Sequence, residues 1–521
     1  MRAARVRARG VGFYCSLRSG TGVRPHIGIL LGIGVFLLLM LVPAGLSAPV
    51  RAVAAVTSLM VIWWITEAIP LEATALVPVV AFPLLGVLSP AEATAPYADR
   101  VIFLFLGGFL IAAAMERWNL HRRIALAIIS RVGTRPRRLA LGVMIATAFT
   151  SLWISNTATA MMMIPIALAL AGAVPEGQAG DGPPAVQKAF GKCLVLSVAY
   201  GASIGGMGTL IGSPPNGIFA AQVRTLFPGA PTVDFFSWLL FGLPFAAVLL
   251  PLAWLWLTRG VFRDMPETIP LAGDAIRKEK DALGSLSRGE RWTLLVFVLV
   301  ALAWILQDTK QVGGILIPGI DSVLPGISDA SIAVGGALLL FLLPVDAGKG
   351  IFTLDWEHAV KIPWGILILF GGGLSLSVAF VKSGLAQSLV RYLGVLQALP
   401  LVLVVVIIAT AVCFLSEVTS NTAIASIMMP VMALTAVATG IHPFLLMTTA
   451  AIASSMGFML PVATPPNAIA FGTGVVSLRE MVRSGFALNL IAIALWMVFS
   501  VTVVPWALGI TPGLPGWATA P

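Results

Sequence analysis

The chain has 521 residues, 58% of them hydrophobic and only 10% charged. Apolar runs on this scale exclude a soluble globular domain and identify a polytopic membrane protein whose partner medium is lipid. The formal charge of +10 comes from arginines in the loops between apolar runs, which marks cytoplasmic loops and excludes nucleic acid as a partner.

Residues 1–26 carry Arg2, Arg5, Arg7, Arg9, Arg18 and Arg24 ahead of the first apolar segment, with no small-residue cleavage site after it. They read as a basic cytoplasmic tail and not as a cleaved signal peptide. Apolar segments follow at 27–46, 52–68, 71–88, 101–117, 192–222, 235–258, 291–308, 329–344, 363–380, 443–475 and 484–508. Two further apolar stretches, 139–173 and 400–438, are too long for one comfortable span and carry a polar run near their middle. Re-entrant helical hairpins fit them better, because non-helical backbone at membrane depth is tolerated only where it lines a site. The expected fold class is therefore an all-α polytopic membrane protein with about 11 transmembrane helices plus two re-entrant hairpins.

With the N-terminus inside, segments 117–138, 259–291 and 476–483 fall in the cytoplasm, and these hold a large share of the arginines. The positive-inside rule agrees. Segments 119–132 and 384–395 are short and amphipathic and suit the membrane interface, with plain loop helices as the other reading. Cys15, Cys193 and Cys413 lie far apart without CxxC spacing, so they indicate neither a disulfide framework nor a thiolate metal site.

The polar runs repeat. "SLWISNTATAMMMIP" at 151–165 aligns without gaps on "SEVTSNTAIASIMMP" at 416–430, and "LFLGG" at 104–108 falls at the same spacing from "LFGGG" at 369–373. "GSPPN" at 212–216 pairs with "ATPPN" at 463–467. Ordered matches of this kind mean a duplicated unit. An odd number of crossings separates the two copies, which inverts the second relative to the first, as in many secondary transporters.

The chemistry of the motifs follows from their residues. Pro214-Pro215 and Pro465-Pro466 remove backbone donors, so each helix should break there. A break exposes N–H groups to an anion at one helix end and carbonyls to a cation at the other. Around the breaks stand Ser, Asn and Thr, with no Lys or Arg inside 151–165, 203–217, 416–430 or 454–468. Hydroxyls and amides can donate to a carboxylate and also offer oxygen to a small hard cation. A dianion held there would need accompanying positive charge, which sodium ions would supply.

The doubled Ser-Asn-Thr motif, "GSPPN", "ATPPN", "WWITEAIPLEATALVP" at 63–78 and "WEHAVKIPWGILILFGGGLSL" at 356–376 together resemble the divalent anion/sodium symporter family of carboxylate and sulfate carriers, over about 27–508. The resemblance implies a homodimer that moves substrate by an elevator mechanism. It implies sodium-coupled symport of C4 dicarboxylates such as succinate, malate or fumarate, with citrate, sulfate and dicarboxylate exchange as alternatives. Carried over by position, the substrate contacts are Asn156, Thr157, Ser213, Asn421, Thr422 and Thr464. At least two sodium sites are implied, one at Ser151, Ser155, Asn156 and Gly212, the other at Ser416, Thr419, Asn421 and Ala463. The corresponding division is a scaffold at 27–117 and 291–380, arm helices at 118–138 and 381–399, a transport domain at 139–258 and 400–508, and a cytoplasmic loop at 259–290.

Two carboxylates invite a proton-carrying role. Glu67 precedes Ile69-Pro70 near a helix end and is expected at the interface; Glu417 neighbours the second sodium cluster and is expected to tune it. "GASIG" at 201–205 fits GxSxG and raises an intramembrane serine hydrolase as the rival reading. That chemistry needs a histidine beside Ser203, and His26, His121, His358 and His442 all sit near segment ends or in loops.

Overall fold

The computed structural model describes residues 25–41, 46–173, 184–265, 268–269, 272–312, 315–385 and 399–518. Cys15, the arginines of the N-terminal tail and nearly all of the amphipathic stretch 384–395 lie outside these residues.

Helix α1 (Pro25–Leu41) runs antiparallel to α2 (Ala48–Thr66), with Gly28 against Thr66 and Gly32 against Trp63. Small residues let the two backbones approach, the usual basis of helix pairing in lipid. The expected crossing at 71–88 folds differently: a turn of helix at Leu71–Thr74 leads into α3 (Val77–Leu84). Pro70 and Pro78 start the two pieces and Pro83 lies inside the second, so this stretch stays short of a full span.

Helix α4 (Arg100–Arg117) starts at Asp99, whose carboxylate accepts the Val101 N–H at 2.8 Å, satisfying one of the orphan donors of a helix start. The amphipathic α5 (Leu120–Val132) buries Leu120, Ala125, Leu126 and Ile129, in keeping with the sequence pattern. Next come the first hairpin, α6 (Pro136–Ser151) and α7 (Asn156–Gly172), and the first broken helix, α8 (Pro184–Gly206) and α9 (Pro214–Leu226). Helices α10 (Phe235–Leu255), α11 (Ala272–Asp281), α12 (Arg288–Ile305), α13 (Asp329–Leu342) and α14 (Trp364–Ser383) close the first half and open the second. The second hairpin is α15 (Leu401–Ser416) with α16 (Asn421–Thr439), and the second broken helix is α17 (Pro443–Ser454) with α18 (Pro465–Gly472). Helices α19 (Leu478–Val501) and α20 (Val503–Leu508) complete the chain. Antiparallel strand pairs at 310–312 with 315–317 and at 344–346 with 351–352 are the small exceptions to an all-helical protein.

Among the described residues, seven helices are long and apolar enough to cross a membrane unaided. The shorter apolar helices include the hairpin arms Asn156–Gly172 and Leu401–Ser416 and the half-helix Pro443–Ser454. The fold is that of a polytopic all-α membrane protein, with hairpins and broken helices at both expected places.

The repeated "LFLGG" and "LFGGG" stretches are packing seams. A methyl on Gly107 would lie 2.5 Å from the Ala333 backbone of α13, and one on Gly373 would lie 3.0 Å from Ser426 of α16. Around these seams α9 packs against α4, α14 and α16. Gln222 donates to the Gly373 carbonyl at 3.0 Å, Arg224 pairs with Asp99, and the Phe235 N–H donates to Asp329 at 2.9 Å.

Candidate functional site

Both hairpins turn at their Ser-Asn-Thr runs, and each turn lies against the gap of a broken helix. In the first copy, Ser155 caps α7, its hydroxyl accepting the Ala158 N–H at 3.3 Å. The next residue, Asn156, points one end of its amide at three oxygens: Ser151 Oγ at 2.6 Å, the Ala202 carbonyl at 3.2 Å and the Gly212 carbonyl at 3.3 Å. The Ser151 hydroxyl donates to Ala202 O at 2.8 Å. Hairpin tip, end of α8 and gap residue thus converge on one small cage of oxygens. Such neutral hard donors suit a monovalent cation. Ser151, Asn156 and Gly212 come together as the sequence anticipates, whereas the Ala202 carbonyl is an addition, since a backbone group has no sequence signature.

In the second copy the corresponding elements meet at Gly457. A methyl there would stand 3.1 Å from Ala463 Cβ, 3.6 Å from Thr464 Cγ2 and 3.7 Å from the Ser416 carbonyl oxygen. Asn421 Oδ1 is buried without a hydrogen-bond donor, and an amide oxygen in that position is what a cation would satisfy. Ser416 donates to Cys413 O and Thr419 to Leu415 O, each at 2.8 Å. Their lone pairs stay uncommitted by those bonds.

The proline pairs sit at the first turns of α9 and α18, where a missing N–H costs nothing. Ser213 and Thr464 are the N-caps; Thr464 accepts the Asn467 N–H at 3.3 Å, and Ser213 Oγ lies 3.3 Å from Ser455 Oγ. That contact joins the tips of the two broken helices. Thr157 and Thr422 occupy the first turns of α7 and α16 and are half-buried.

Asn216 and Asn467 carry a function that the sequence reading left unassigned. Asn216 donates to the carbonyls of Gly206 and Thr209 at 2.9 and 2.7 Å, and Asn467 to those of Gly457 and Leu460 at 3.1 and 3.0 Å. Each amide ties the unwound loop to the helix that follows, pairing carbonyls that would otherwise stand unsatisfied at membrane depth. The signal was present, because both motifs end in Asn.

Glu417 lies buried at the second hairpin tip. Its carboxylate accepts the N–H groups of Phe458, Met459 and Leu460 at 2.8 to 3.1 Å and the Asn489 amide at 2.7 Å. Glu67, in contrast, is exposed and ends α2 with φ 47°, in keeping with the interfacial reading.

The description "Sodium:sulfate symporter transmembrane region" matches residues 26–509. The chain belongs to this family. Among relatives of the symporter, a protein of Staphylococcus saprophyticus named sodium-dependent dicarboxylate transporter SdcS is 42% identical over 487 residues, covering 93% of this chain and 92% of its own. The same-named protein of Staphylococcus aureus strain NCTC 8325 is also 42% identical, over 94% of this chain and 93% of its own. The fold is shared with Neisseria gonorrhoeae MtrF, described with a class of antimetabolite efflux pumps, at TM-score 0.56 and 16% identity over 92% of this chain and 99% of that one. It is shared also with the Alcanivorax borkumensis YdaH transporter at TM-score 0.54 and 16% identity, over 82% and 88%. Membership in a symporter family makes this protein a transporter and sets the hydrolase reading aside. The geometry agrees: Ser203 Oγ is buried without a hydrogen-bond partner, while His121, His358 and His442 bond to Met115, Asp355 and Phe444.

Proposed function

We propose that the protein is a sodium-coupled symporter of C4 dicarboxylates such as succinate, malate and fumarate, in the cell membrane with its N-terminus in the cytoplasm. The observation that carries the reading is the doubled pairing of a polar hairpin tip with a broken-helix N-terminus, the first pair enclosing a cage of oxygens. The cage is the acceptor set that a sodium ion needs, and the N-terminus with its Ser or Thr cap is the donor set that a carboxylate needs. Two such units, one from each copy, match two carboxylates and at least two sodium ions. Relatives named for sodium-dependent dicarboxylate transport, 42% identical over most of the chain, support the same substrate class.

In this reading Asn156, Thr157 and Ser213 contact one carboxylate and Asn421, Thr422 and Thr464 the other. Ser151, Ser155, Asn156 and Gly212 hold one sodium ion, and Ser416, Thr419, Asn421 and Ala463 hold the second. The hairpins and broken helices of 139–258 and 400–508 travel as one body against a scaffold of 27–117 and 291–380 in a homodimer. An empty carrier and a fully loaded one cross easily, whereas a dianion alone leaves uncompensated charge in lipid.

Proteoliposomes carrying the purified protein should take up radiolabelled succinate with sodium outside and not with choline. Equal uptake in the two salts would overturn the coupling. Competition by citrate or sulfate stronger than by fumarate would move the substrate class. Cysteine pairs that pin the two bodies together should stop transport.

A further inference from the structure

The Asn156 amide can present either terminal atom to the cage, and its surroundings separate the two arrangements. With nitrogen turned toward the cage its two N–H groups have three acceptors in reach, Ser151 Oγ, Ala202 O and Gly212 O, at 2.6, 3.2 and 3.3 Å. With oxygen there it faces two carbonyls that can only accept, and the Ser151 hydroxyl, whose single proton goes either to Oδ1 at 2.6 Å or to Ala202 O at 2.8 Å. Hydrogen bonding therefore favours nitrogen inward when the cage holds no cation. A sodium ion reverses the preference, because a cation attracts Oδ1 and excludes the NH2 group. The two terminal atoms of a planar amide diverge from Cγ, so whichever end faces the cage, the other faces away from it.

We infer that sodium controls substrate binding in the first copy by turning the Asn156 amide. Without sodium the NH2 group stands in for the cation and Oδ1 faces outward, where it repels a carboxylate. With sodium bound, Oδ1 ligates the ion and the NH2 group is delivered outward as a donor to the substrate. The dianion then meets a donor only when the cation is in place. The inference rests on the sodium and substrate roles proposed above and adds the device that links them.

Space for the turn comes from Gly206. A methyl there would lie 2.5 Å from Asn156 Oδ1, 2.9 Å from Nδ2 and 3.1 Å from Cγ, so the amide lies flat over the glycine. The second copy differs in what the structure shows: Asn421 Oδ1 is buried without a donor. The switch belongs to the first copy.

The test is a binding cycle on purified protein, with succinate affinity measured by calorimetry in sodium and in choline. Asn156→Ala should weaken binding in sodium by roughly tenfold to a hundredfold, the range of a hydrogen bond to a charged group. In choline its affinity should hold steady or improve, since the repelling oxygen is gone. Equal losses in both salts would show an amide fixed as a donor and would overturn the inference. A wild-type protein that binds succinate equally in both salts would instead overturn the proposed coupling. Should Asn156→Ala not fold, infrared difference spectra of protein labelled with 13C-asparagine supply the answer. On an Asn421→Ala background, adding sodium should shift a side-chain carbonyl band as Oδ1 exchanges solvent-side surroundings for the ion. An unshifted band at saturating sodium, in protein shown to bind sodium, sinks the turn.

Discussion

The two copies of the repeat solve one problem identically and another differently. Both break a helix at a proline pair, and both tie the unwound loop with the motif asparagine, Asn216 or Asn467. They part at the hairpin tip. In the first copy Thr209 donates its hydroxyl to the Leu152 carbonyl. In the second, Glu417 stands where the alignment places Leu152, and its carboxylate gathers three backbone N–H groups and the Asn489 amide. One tip is held by a hydroxyl-to-carbonyl hydrogen bond and the other by a buried carboxyl group whose donors are amides. Duplication preserved the backbone device and left the side-chain chemistry free to diverge, so the two hairpin tips are not equivalent.

The largest effect is expected at the tip that carries Glu417. Glu417→Ala would leave four donors without their acceptor, those of Phe458 and Asn489 buried and those of Met459 and Leu460 part-buried, and a buried donor so left costs about 1–3 kcal/mol. The melting temperature in detergent should collapse or the protein should fail to accumulate, while Glu417→Gln should be milder. A Glu417→Ala protein that melts like the wild type would erase the contrast between the copies.

Next comes a paired glycine comparison. Gly206→Ala puts a methyl onto the Asn156 amide, whereas Gly457→Ala meets only Ala463 Cβ at 3.1 Å and looser neighbours. The first substitution should therefore abolish sodium-dependent uptake and the second reduce it. Reversed severities would mean that the first cage has more room than its geometry allows.

The symmetric device gives a smaller, matched prediction. Asn216→Ala and Asn467→Ala each remove two hydrogen bonds of about 1 kcal/mol apiece, so each should cost about 2 kcal/mol. Thermal unfolding of the two variants should agree within error; a large difference would show that the loops are not equivalent either.

The smallest effect is a pH dependence at one helix start. His442 Nδ1 accepts the Phe444 N–H at 3.2 Å, and burial pushes its pKa down from 6.5 to about 4. The unfolded chain takes up this proton first, so the contribution to stability is complete above about 6.5 and is lost as pH falls toward about 4. His442→Asn keeps an N-cap and should flatten that part of the melting-temperature profile.

Much of the site was legible because it consists of departures from an apolar background. Ser-Asn-Thr, the proline pairs and their repetition announce hairpins and breaks before any coordinates. The carbonyl of Ala202 was not, since every residue has one and only folding selects it. Glu417 was visible as a carboxylate, but its donors lie more than forty positions away on an unwound loop. The stretch 71–88 misled because its hydropathy is that of a span while its prolines limit the helix. Asn216 and Asn467 were in plain view, and what hid them was that a loop tie and a ligand use the same amide.

The Ser213–Ser455 contact also bears on how the protein is made. Its two hydroxyls are separated by 242 positions in the chain, and synthesis at about 5–20 residues per second puts tens of seconds between them. Through that interval the first broken helix must wait in the membrane with its polar tip facing a partner that has not emerged. Unpaired backbone groups there cost several kcal/mol each. The Asn216 tie and the closed Ser151, Asn156 and Ala202 cluster draw only on residues already translated, so the first half carries what it needs to survive insertion alone until the second half arrives to meet it.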